Sequence, residues 1–260
     1  MGHERIGFLP RTREWNRIIE ELASYNGDYK TVKIISDQTL NCIKQVYMKM
    51  PYDESVIKAI RFLVTLSISA TKDDQVNYLQ SKGYDINTEL STFAIVRNVN
   101  HIITTERGSL EVNKLVRDSV IQAVLQYSKS KQDNKQLSFF SDSKESIWAG
   151  IGNGSAFCEL SRSFFAALTT RQLQYYIERT AASAINDYHK LNCFISNVEH
   201  HALEISDHAF ETSKLVQSFS AGWYNKHANN EMPSEKDIIS YLRISFGKLR
   251  EEFRREAESA

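Results

Sequence analysis

Proline and glycine are scarce in this chain, with 3 Pro and 10 Gly among 260 residues, where average usage would give roughly 13 and 18. Both residues punctuate turns, so few turns and long elements are expected. That count excludes β-sandwiches and barrels, which need many turns. No succession of short Val/Ile-rich runs marks a doubly wound α/β sheet either. An excess of one charge is also missing, since 32 Lys and Arg balance 32 Asp and Glu. Affinity for nucleic acid rests largely on neutralising phosphates, so a globally basic binding domain is excluded and only a local basic patch stays open. Cysteine is limited to Cys42, Cys158 and Cys193, far apart and without a CxxC pair. This supports neither a disulfide framework nor a zinc finger and points to reduced thiols in a cytoplasmic protein.

A long apolar run is lacking as well. The strongest, Ile60 to Ala70, is about 11 residues, whereas roughly 20 are needed to span a bilayer, so no membrane partner is expected. The opening MGHERIGFLPRTREW has no apolar signal core, and Ile6 stands where a myristoylation motif wants Ser or Thr. What is present is ordinary globular material, 42% hydrophobic and 25% charged. Together these features predict an all-α fold, a multi-helix bundle of about 8–10 helices.

Thr12 can cap a first helix in which Trp15, Ile18, Ile19 and Leu22 share one face, and Asn26-Gly27-Asp28 stops it. A second helix reads from Tyr29 to Met50, ended by Pro51, with Asp53 capping a third over 54–70 that is apolar on most sides and therefore buried. A short helix ends at Gly83, and two more read from Asn87 to Thr105 and from Ser109 to about Ser130. Residues 129–147, KSKQDNKQLSFFSDSKESI, are the one shift in composition. They read as a long loop or linker that could hold a short strand. They divide the chain into an N-terminal helical half, 1–128, and a C-terminal half, 148–260, which either stand apart or pack as one domain. Residues 156–184 hold the most apolar helices, divided at Thr169 or Thr170. Asn192 to Lys226 reads as one helix or as two kinked near Gly222, and Pro233-Ser234 opens the last, with Ser234 and Asp237 set as a capping box. Its outer face, KLREEFRREAE, mixes both signs with i,i+4 pairs such as Lys248–Glu252 and Arg254–Glu258.

Four patterns carry candidate chemistry. Gly150, Gly152, Asn153, Gly154 and Ser155 precede a helix, where backbone N–H groups can hold an anion. The Walker lysine and the dinucleotide-binding spacing are both absent, and the plainer reading is a tight turn. His201, Glu204 and His208 stand at i, i+3 and i+7, so one helix face can present imidazole and carboxylate to a metal. A di-iron bundle would need Glu-x-x-His from two helices, and no such pair is present. HExxH is absent too, and the plainer reading is a solvated polar face. Lys129, Lys131 and Lys135, with the aromatic and basic group Arg171, Tyr175, Tyr176 and Arg179, could meet nucleic acid. Neighbouring Asp133, Asp142 and Glu145 cancel much of that field. Finally, the arm carrying Arg5, Ile6, Phe8, Leu9 and Arg11 mixes charge with apolar residues and can dock on a partner or on its own domain.

No nucleophile elbow exists, Cys158 sits in an apolar stretch, and Asp187 with His189 does not make a metal site. No cofactor is called for. Two stretches, GHERIGFLPRTREW and LSRSFFAALTTRQLQYYIER, resemble small helical proteins encoded beside ATPases and nucleases in bacterial phage-defence clusters. The resemblance implies an accessory subunit and carries over no catalytic residue. The expected function is a non-catalytic interaction subunit of a cytosolic complex, with other protein subunits as partners. The alternatives are a nucleic-acid-binding subunit and a metal- or phosphate-ligand enzyme using the 150–155 turn or the His201 face.

Overall fold

A computed structural model describes residues 9–86, 90–105, 109–137, 147–210, 219–228 and 231–260, apart from the side chains of 133–137 and Arg179. Among the described residues 81% are helical, with eleven α-helices and no strand. The all-α expectation therefore holds.

Local signals explain most helix starts. Thr12 accepts from the Trp15 N–H to open α1 (Arg13–Ala23), and Asp28 caps α2 (Tyr29–Cys42). Gly27, with φ of 101°, makes the left-handed turn between them. The chain then departs from the single helix expected up to Met50. It breaks at Ile43 into a four-residue α3 (Lys44–Tyr47) and a 3-10 turn over Met50–Tyr52. The break turns Tyr47 and Met50 into the core. Asp53 caps α4 (Glu54–Ser69), which is buried on nearly every side, as its apolar sequence demands. Next come α5 (Gln75–Ser81), closed by Gly83 at φ 84°, and α6 (Thr92–Ile102), capped by Ser91.

Helix α7 (Leu110–Leu137) overturns part of the loop expectation, because residues 129–137 are its last turns. The polar side chains of Ser130 and Lys131 anchor the helix instead of melting it. Ser130 Oγ lies 2.7 Å from Glu159 Oε1, and Lys131 Nζ lies 2.7 Å from Glu159 Oε2 and over the Tyr127 ring. The rest of the expected linker up to residue 146 lies outside the described residues. After a 3-10 turn over Ile147–Ile151, α8 (Gly154–Ala184) runs unbroken through Thr169 and Thr170, both buried. Then follow α9 (Tyr188–Phe210), α10 (Phe219–His227) and α11 (Glu235–Glu258), the last capped by Ser234 through the Asp237 N–H. Gly222 lies inside α10.

Helix α8 is the hub and packs against α1, α2, α4, α7, α9 and α10. Its Phe157 stacks on Trp223 and Tyr224 of α10, and its Phe165 meets Phe210 of α9 and Phe246 of α11. One core cluster runs from Trp15 to Phe253, so both flanks of the polar stretch feed the same interior. No helix among the described residues is long and apolar enough to cross a membrane.

Candidate functional site

The glycine turn is built for close packing. A Cβ on Gly152 would stand 3.0 Å from Thr71 Cγ2. One on Gly154 would stand 2.7 Å from Asn225 Oδ1 and 2.9 Å from the Ala221 carbonyl oxygen. Gly152 lets the turn abut the end of α4, and Gly154 lets α8 start against α10. Neither glycine has a positive φ. The Ala156 N–H at the start of α8 donates to Asn153 Oδ1 at 3.0 Å, so the cap side chain occupies the place an anion would take. Gly150 and Ser155 stand at its exposed rim.

Of the basic groups expected to meet nucleic acid, Lys131 and Arg171 are engaged within the fold. Lys131 is paired with Glu159, Lys129 is exposed on α7, and Lys135 belongs to the undescribed side chains. Arg171 Nη1 donates to Gln122 at 2.6 Å, Tyr175 donates to Glu111 at 2.9 Å, and Tyr176 is buried. Arg171 and Tyr175, expected to stack on bases, thus tie α8 to α7, and the Arg179 side chain lies outside the described residues. In the arm, Arg5, Ile6 and Phe8 lie outside the described residues, while Leu9 and Arg11 are exposed. Beside them a groove of about 360 Å³ opens between α1 and α2, lined by Thr12, Glu14, Arg17 and Cys42. Burial pushes the Cys42 thiol up, which suits a packed sulfur and not a thiolate nucleophile.

The histidine face separates into two environments. His201 points inward and is fully buried, edge-on to Tyr29 and Phe253. Neither ring nitrogen has a hydrogen-bond partner among the described residues. Burial, reinforced by Lys33, pushes its imidazole down to about 4, so it is neutral near pH 7. Glu204 is held elsewhere: it accepts from Tyr29 Oη at 2.5 Å and faces His200 at 3.4 Å. The trio expected to ligate a metal therefore does not converge. His208 turns instead to α11, where its Nδ1 lies 3.7 Å from Glu252 Oε1 and 4.0 Å from Glu256 Oε1. The ligand atoms of these three side chains all lie within 4.8 Å of one another. Glu256 also accepts from Lys33 Nζ of α2 at 2.6 Å, an ammonium that holds its carboxyl below the usual range.

Two adjoining grooves follow α11. The first, about 410 Å³, is walled by Phe219 and Trp223 of α10 with Lys226, His227 and Asp237 at its edge. The second, about 430 Å³, runs past His208, Lys248, Glu251 and Glu252. Ile244 lines both, and 45% of it is exposed. Beneath the first groove, Trp223 stacks on Tyr241 at 4.5 Å and Phe219 on Tyr241 at 5.5 Å. The sequence reading missed this face because it took the outer side of the last helix as the mixed-charge run KLREEFRREAE. The available signal was Ile244, an aliphatic residue two positions off the buried stripe of Leu242, Phe246 and Leu249.

Compared with protein-family models, curated proteins and solved structures, the chain matches none of them.

Proposed function

We propose that this chain is a non-catalytic helical interaction subunit that takes an amphipathic segment of a partner protein along α11. The observation that carries the reading is the exposed Ile244 at the junction of two open grooves, over an aromatic floor. An apolar centre rimmed by polar groups is the usual anatomy of a docking site. Here Lys226 and Lys248 alternate with Asp237 and Glu251 along the rim, which would set the register of a partner helix. The resemblance to accessory proteins of phage-defence clusters supports a cytosolic ATPase or nuclease subunit as that partner.

The test is co-purification from native expression of the whole locus, followed by binding of the purified pair. Ile244→Glu places a charge at the centre of the site and should weaken binding roughly thirty-fold, the scale of a central anchor worth about 2 kcal/mol. Lys114→Glu, on the exposed side of α7, should leave it unchanged. A chain that retains no partner, or a complex indifferent to Ile244→Glu, rejects the proposal.

A further inference from the structure

The junction of α2, α9 and α11 carries a second capability, at the His208 end of the second groove. We propose that His208, Glu252 and Glu256 bind a divalent transition-metal ion of the zinc class. One imidazole nitrogen and two carboxylate oxygens from two helices form a donor set that zinc accepts, with a fourth position left for water. Donors placed about 2.0–2.2 Å from a tetrahedral ion stand roughly 3.3–3.5 Å apart. The 3.7 and 4.0 Å separations from His208 Nδ1 to the two carboxylates are within reach of that after a small side-chain adjustment.

The surroundings favour the assignment. Glu252 and Glu256 stand at i and i+4, so α11 presents both from one face. Lys33 takes Glu256 Oε2, which leaves Oε1 turned to His208. Glu252 is seven-eighths buried, and its Oε1 pairs with Arg255, a side chain largely in solvent that an arriving ion would have to displace. The groove past His208 and Glu252 gives an ion a path from solvent.

The experiment is calorimetric titration of the untagged full chain with Zn²⁺ alone, paired with the visible spectrum of the Co²⁺-loaded chain. One ion per chain with micromolar or tighter affinity is expected, with absorption bands of low-coordinate Co²⁺. His208→Ala and Glu252→Gln should each weaken Zn²⁺ binding at least tenfold and diminish those bands. His208 is more than half exposed, so its variant is expected to fold, and circular dichroism checks this. His189→Ala, at an exposed site near the start of α9, should change nothing. Absence of binding at about 1 mM Zn²⁺, binding that survives His208→Ala, or equal loss with His189→Ala overturns the proposal.

Discussion

Acidification should loosen this fold through His201 in particular. The imidazole is fully buried with no hydrogen-bond partner among the described residues. Its proton affinity falls from an ordinary 6.5 to about 4 on folding. Between those values the unfolded chain binds more protons than the folded one, so stability falls as pH falls. The contribution is intact above about pH 6.5, declines across the window, and levels off below about pH 4. At 1.36 kcal/mol per pH unit the full loss is about 3 kcal/mol. Carboxylates add their own acid sensitivity, Glu256 among them, so a single acid titration would blend several groups. Chemical denaturation from pH 7.5 to 4.5 should therefore be run on wild type and on His201→Phe, which keeps an aromatic ring between Tyr29 and Phe253. The difference between the two stability curves cancels the shared carboxylates. It should move by roughly 2–3 kcal/mol in favour of the variant as pH drops. Curves that stay parallel to within about 0.5 kcal/mol would refute a neutral, buried His201.

Other substitutions probe the remaining framework. Gly154→Ala should cost about 1–3 kcal/mol and lower Tm by several degrees, because the added methyl meets Asn225 and the Ala221 backbone, while Gly150→Ala, with open space around it, should be near neutral in the same melt. Asn153→Ala removes the cap of α8 and should cost about 1 kcal/mol in denaturant, with Asn153→Asp largely restoring it. Lys33→Met should cost about 1 kcal/mol by breaking the half-buried pair with Glu256, and it should raise the pH at which the Glu256 carboxyl titrates by NMR.

The helices were legible where a local rule decides them. Thr12, Asp53 and Ser234 cap the helices their positions suggested, and Gly83 closes α5. The apolar run around Ile60 became a buried helix. The failures share a cause, which is that tertiary contacts overrode composition. Residues 129–131 look like linker, yet Glu159 on another helix holds Ser130 and Lys131 in α7. Thr169 and Thr170 look like a break, yet both fit inside the core of α8. The i,i+4 reading of α11 held for Arg254–Glu258. It missed that Glu252 turns towards His208 of α9, because no spacing within α11 reveals what packs across from it. His201 and His208 share a face by periodicity, but the depth at which α9 sits between α2 and α11 separates a buried ring from an exposed one.

Docking along α11 is the central claim, and hydrogen–deuterium exchange on the purified complex tests it most directly. Partner binding should slow exchange in α10 and in the segment from Asp237 to Glu251, with α6 and α7 unchanged. Protection confined to α6 and α7, with the α10 and α11 segments exchanging as in the free chain, would contradict it.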